Sequence, residues 1–142
     1  MASKQPKPVV SRVTSCLCQS VRIEITGEDK GAVLCHCNNC KQTGGSAFMH
    51  NHRFMKTQLN VVKGKELLRE YADNNTKSGN TVSRHFCSKC GSPLYLTNSA
   101  FKGFAAVMAS SMEGYKQQPF MELFGEDKYP WIGEVASKKA KL

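Results

Sequence analysis

Seven cysteines gathered in three clusters constrain this chain more than any other feature. Cys16 and Cys18 stand in "CLC", Cys35, Cys37 and Cys40 in "CHCNNC", and Cys87 and Cys90 in "CSKCG". An odd number of thiols argues against a closed disulfide framework, and clustered thiols in a reducing compartment more often bind metal or react. A Cys-x-x-Cys turn followed by Gly is zinc-knuckle geometry, because the tight turn aims both sulfurs at one ion and backbone N–H groups can donate to them. Such a knuckle needs two ligands from elsewhere. Cys16 and Cys18 suit that role, since alternate residues of a strand project from one face and both thiols can reach one ion. The spacing therefore assigns Cys16, Cys18, Cys87 and Cys90 to a structural zinc.

That assignment leaves Cys35, Cys37 and Cys40 together. Three thiolates from one short segment hold a tetrahedral ion with its fourth position vacant, which is what separates a catalytic zinc from a structural one. So soft a site suits an incoming thiolate sulfur as well as water. The alternative is a second closed site, completed by His36, His50, His52 or His85. Beside the triad, Lys41 places a cation near the metal, and Gly44 and Gly45 let the backbone approach a ligand whose carboxylate free N–H groups could bind. A plain turn between strands accounts for the Gly-Gly pair as well.

Between the cysteines the chain has the period of β structure. In "SVRIEIT", Val21, Ile23 and Ile25 alternate with polar neighbours, and "GEDKG" supplies turn residues before "AVLCHC", the expected partner strand of a hairpin. "NNCKQTGG" allows one helical turn, "SAFMHNHRF" and "LNVVKG" are two further β runs, and "KELLREYADNN" favours a turn plus a strand over a helix. "TVSRHF", "CSKCGSPLYLT" and "FAAVMAS" complete the strands, and "FMELFGEDKYPWIG" is expected to close onto the sheet as core filler. The count predicts a single all-β domain over residues 12–132, with a loose basic tail at 1–11 and a second basic tail at 133–142.

The formal charge of +9 invites a nucleic-acid partner. Seven thiolates ligating two divalent ions would remove part of it, and several lysines sit near the two ends, so a mildly basic domain with basic ends is expected. No run of about 18 apolar residues is present to cross a membrane, and "MASKQPKPVVSR" has no apolar core of a secretory signal, so a soluble intracellular protein without a membrane partner is expected.

With these residues in hand, the sequence resembles the glutathione-dependent formaldehyde-activating enzyme family, whose domain is shared with centromere protein V. The matching pieces are "SCLCQSVRIEI", "CHCNNCKQTGGSAF" and "FCSKCGSPLY", in the family's order, followed by "YPWI". The resemblance implies a β-tent-like all-β fold of short antiparallel strands stapled by zinc. By matching position it implies two sites, with Cys16, Cys18, Cys87 and Cys90 as the structural set and Cys35, Cys37 and Cys40 as the catalytic set. The implied activity joins glutathione and formaldehyde through a carbon–sulfur bond, a carbon–sulfur lyase reaction in reverse. Two positions depart from the pattern: Lys41 stands where Arg is frequent, and "ASSMEG" replaces a stretch that often carries Ala-Gly and Asp.

The chain ends in Ala140, Lys141 and Leu142, close to the Ser-Lys-Leu peroxisomal address, so a peroxisomal import receptor is an expected partner, with the cytoplasm as the other location. The main expectation is an enzyme acting on a small thiol such as glutathione. The alternatives are a zinc-stapled module that binds nucleic acid or cytoskeletal partners, and a protein whose second zinc is only structural.

Overall fold

The computed structural model describes residues 4–136 and the backbone of residues 138 and 139. Among these residues nine strands form one sheet: β1 (Val9–Ser15), β2 (Arg22–Cys35), β3 (Met49–Lys63), β4 (Leu68–Asp73), β5 (Val82–Cys87), β6 (Pro93–Asn98), β7 (Ala105–Met108), β8 (Met121–Leu123) and β9 (Lys138–Lys139). The order across the sheet is β4-β5-β6-β7-β3-β2-β8-β9, with β1 paired separately to β2. The α-helical element of the described residues is α1 (Asn38–Gly44), so the all-β expectation holds. Pairing is mostly antiparallel, but β2 with β8 and β8 with β9 run parallel. The expected short strands also include two long ones, β2 and β3.

Those long strands correct the hairpin expected at "GEDKG". Its residues bulge rather than turn: register shifts fall between Thr26 and Glu28 and between Asp29 and Ala32, and β2 continues through both against β3. Gly31 adopts a left-handed φ of 81°, and its N–H donates to Asp29 Oδ1 at 2.8 Å. Gly and Asp supply bulge chemistry as readily as turn chemistry, which is why the two are alike in sequence. For the same reason "SAFMHNHRF" and "LNVVKG" contribute to the single strand β3. "KELLREYADNN" does form a turn, Lys65–Leu67, followed by β4.

At the chain's start, Val9, Val10 and Ser11 pair with Glu28, Gly27 and Thr26, inside the segment expected to be a tail. Two adjacent valines favour a strand where an edge is open to receive it. Lys138 and Lys139 likewise pair with β8 inside the expected second tail. The Ala-Lys-Leu terminus lies outside the described residues.

The sheet separates two apolar clusters. The first gathers Ile23, Ile25, Phe54, Leu94 and Val107 around Cys16 and Cys87; the second gathers Met49, Leu96, Ala106 and Met108 around Cys35 and Cys40. Alternation along a strand explains the division, since Val107 of β7 joins the first cluster while its neighbours Ala106 and Met108 join the second. The closing segment only partly fills the core as expected: Phe124 packs on the second cluster, whereas Trp131 is 75% exposed and stacks on Tyr129.

After β3 the chain turns at Gly64, where φ is 76° and an added Cβ would lie 2.0 Å from the Ser20 carbonyl oxygen. Gly64→Ala is expected to destabilise the fold by at least about 2 kcal/mol, through left-handed strain plus the clash with backbone. Urea unfolding checks this, and an unchanged midpoint would contradict it.

Candidate metal centres and cavity

The first cysteine cluster is assembled by two turns. Cys16 and Cys18 lie just beyond β1, in the turn leading to β2, rather than on a strand as expected. That turn is closed by Cys16 N–H donating to Val21 O at 3.1 Å, and Val21 N–H donates to the Cys16 sulfur at 3.2 Å. On the other side β5 ends at Cys87, and Gly91 N–H donates back to Cys87 O at 2.8 Å, which folds Cys90 towards the same point. Ser92 joins the two turns: its hydroxyl accepts from Leu17 N–H at 3.0 Å and lies 3.1 Å from the Cys90 sulfur. Hydrogen bonding to Ser92 holds the Cys90 thiol down at about 5, while burial pushes Cys16 up to about 11.

The second cluster sits where β2 passes into α1. Cys35 is the last residue of β2, Cys37 is the N-cap of α1, and Cys40 lies in its first turn. The Cys37 sulfur accepts from Cys40 N–H at 3.4 Å, so the start of α1 directs a backbone donor at a thiolate.

Both clusters fit a metal ion by the chemistry of their donors. In each, the sulfurs lie within 4.8 Å of one another, with Cys16 to Cys18 at 3.5 Å, Cys18 to Cys87 at 3.9 Å and Cys35 to Cys37 at 3.4 Å. Four sulfurs set about 2.3 Å from a zinc ion would stand about 3.8 Å apart. Thiols this close cannot all ionise alone. Hydrogen bonds from Cys35 and Cys40 push Cys37 down to about 2, whereas bonding to Cys37 and Cys40, together with burial, pushes Cys35 far up. A divalent ion would stabilise all three as thiolates.

No histidine joins the three-cysteine cluster among the described residues. His36 is fully buried but turns Nε2 to Glu122 Oε1 at 2.9 Å; His52 pairs with Asp29 and Tyr115; His85 stacks on Tyr95 with ring centroids 4.2 Å apart. His50 packs edge-on against Tyr115. The histidine-closed alternative therefore has no candidate ligand in place.

Two buried carboxylates grip the segment that carries Cys35, Cys37 and Cys40. Asp73 of β4 accepts from Asn39 of α1 at 2.9 Å and from Arg84 Nε of β5 at 3.0 Å. Burial raises the Asp73 carboxyl, but hydrogen bonds from Asn39 and Arg84 outweigh it and hold the group below the ordinary carboxylate range. Glu122 of β8 accepts from His36 and from Lys128 Nζ at 2.7 Å. Here too, the hydrogen bonds from Lys128 and His36 overcome burial and lower the pKa.

Above Cys35, Cys37 and Cys40 opens a cavity of about 420 Å³. Its walls are largely apolar, with Val33, Val82, Leu96, Phe104 and Phe124 among them, and its polar lining includes Asn51, Arg53 and Arg84. The cation beside the triad is Arg84, whose Nη1 lies 3.8 Å from the Cys40 sulfur. Lys41, expected in that place, instead donates to Asp127 O at 2.7 Å and sits 3.9 Å from the centre of the Tyr129 ring. Gly44 and Gly45 end α1, where Gly45 N–H bonds to Gln42 O, and neither lines the cavity. The missed residues left a signal: Asn51, Arg53 and Arg84 are polar side chains at inward positions of strands, where burial requires a partner.

Comparison with known proteins places the chain among relatives. The sequence model described as "Glutathione-dependent formaldehyde-activating enzyme" matches residues 11–127. A Schizosaccharomyces pombe protein named an uncharacterised lyase is 32% identical over 87% of this chain and 85% of its own length. A Halomonas elongata protein named a putative glutathione-dependent formaldehyde-activating enzyme is 27% identical over 88% of this chain and 81% of its own. A solved Rhodobacter sphaeroides structure shares the fold, with a TM-score of 0.58 at 23% identity, covering 73% of this chain and 90% of the other.

Asp73→Asn leaves Asn39 and Arg84 without their anionic partner, and is expected to weaken Zn2+ binding at the three-cysteine cluster about 10–100-fold. Competition with a chromophoric chelator measures this. Unchanged affinity would show that the carboxylate does not orient the ligand loop.

Proposed function

Because the chain belongs to the glutathione-dependent formaldehyde-activating enzyme family, we propose that it is a zinc-dependent carbon–sulfur lyase-type enzyme acting on a small thiol such as glutathione and on formaldehyde or a related adduct. One observation carries this reading. The three-cysteine cluster opens into a cavity and has no fourth ligand among the described residues, whereas the other cluster is complete with four cysteines. An ion at Cys35, Cys37 and Cys40 would supply an open position that favours the thiolate form of an incoming thiol.

The protein's own groups account for the remaining steps. The thiol sulfur adds to the carbonyl carbon, the carbon–sulfur bond forms as the carbon–oxygen π bond breaks, and the oxygen takes up a proton equivalent to the one the thiol released. Arg84, anchored by Asp73, offsets the negative charge of Cys40 and holds α1 at a fixed distance from β5. Val33, Val82, Leu96, Phe104 and Phe124 limit water around the reacting atoms, which strengthens the electrostatic effect of Arg84.

Exchange NMR between labelled formaldehyde, glutathione and their adduct tests the reaction. The zinc-loaded protein is expected to raise the exchange rate above the protein-free rate. Cys37→Ser, confirmed as folded and retaining the four-cysteine metal, is expected to return it to that rate. Equal rates in all three samples would remove formaldehyde chemistry from this protein.

A further inference from the structure

The cavity over Cys35, Cys37 and Cys40 has a composition that narrows what it can receive. Among the described residues no Asp or Glu lines it, so it offers no carboxylate to pair with a buried ammonium group. Its lining includes three cations, Arg53, Lys77 and Arg84. Arg84 is paired with Asp73, and Lys77 with Glu126 and Asp127.

Arg53 is different. Among the described residues no carboxylate lies within ion-pair distance of it, and burial alone lowers its pKa. Its Nε is buried without a hydrogen-bond partner, and its guanidinium carbon stands 5.7 Å from the centre of the Phe120 ring. Asn51, on the same side of β3, is 4% exposed, and its Oδ1 is also buried without a partner. Two unpaired polar groups facing one cavity call for a ligand that pairs with them.

The strand sets where such a ligand would lie. Met49 stands opposite Cys35 and Asn51 opposite Val33 in the β2–β3 register. Asn51 and Arg53 are therefore about 7 and 13 Å farther along the strand than the position facing Cys35. A guanidinium fork matches a carboxylate, and a side-chain amide oxygen accepts from a hydroxyl or N–H.

We propose that Arg53 is the receptor for a single carboxylate of the substrate, with Asn51 accepting from a hydroxyl or N–H nearer the cysteines. The cavity then takes a small thiol, or its formaldehyde adduct, with an apolar body and one anionic end. This rests on the thiol chemistry proposed above, and its test separates the two.

Isothermal titration of the zinc-loaded protein uses mercaptohexanoate, mercaptohexanol, hexanoate and glutathione as probes. Mercaptohexanoate is expected to bind at least about 10-fold more tightly than mercaptohexanol. Arg53→Gln should erase that difference while leaving mercaptohexanol unchanged, and Arg53→Lys, which keeps charge without the fork, should restore it in part. Equal binding of acid and alcohol by the wild type would overturn the receptor, whatever the variants do. Glutathione binding more tightly than mercaptohexanoate would overturn the apolar, single-anion cavity. Hexanoate reads the receptor without the thiol: binding lost in Arg53→Gln supports Arg53. If mercaptohexanoate then gains nothing over hexanoate, the thiol chemistry fails while the receptor stands.

Discussion

The ladder between β2 and β3 is the constraint on which both cysteine clusters depend. It runs from Arg22 opposite Lys63 to Cys35 opposite Met49, so one end lies beside the turn of Cys16 and Cys18 and the other delivers Cys35. A side chain in a regular strand cannot change faces without a register shift. At Asp29–Ala32, β2 advances three residues against two of β3, and this shift lets Ile23 and Ile25 join the first apolar cluster while Cys35 joins the second. Strand β2 thus joins the turn of Cys16 and Cys18 on one core to Cys35 on the other.

Buried charge does the finer positioning. Asp73 ties α1 to β5 through Asn39 and Arg84, and Glu122 ties the residue between Cys35 and Cys37 to β8 and Lys128. Such pairs add little net stability, because desolvation offsets most of the Coulomb gain, but breaking one leaves a buried charge alone. Their consequence is geometric. A loop of three thiols gripped from both sides keeps its shape without a fourth protein ligand, and this gives the proposed open site a physical basis.

The division of the cysteines was legible in the sequence because ligand spacing is local: Cys87-x-x-Cys90 forms its own turn, and Cys35, Cys37 and Cys40 need only a strand end and a helix start. Strand periodicity likewise revealed β5, β6 and β7. The extent of β2 and β3 was not legible, since Gly31 and Asp29 make a bulge with the residues that elsewhere make a turn. Nor was the cation beside Cys40. Lys41 is next to it in sequence, but side chains one residue apart on a helix point in different directions, so Lys41 reaches Tyr129 while Arg84 arrives from a strand 44 positions away. Long-range pairing decides such contacts, and spacing alone carries no record of it.

Coordination number is the quantity on which the account turns. X-ray absorption at the zinc edge of the fully loaded protein should give an average of about 3.5 sulfur ligands per zinc with a light-atom remainder and no imidazole signature, rising towards about 4 when a small thiol is added. An imidazole signature, or about 4 sulfurs before any thiol is added and no change afterwards, would show that the second site is closed and would contradict the account.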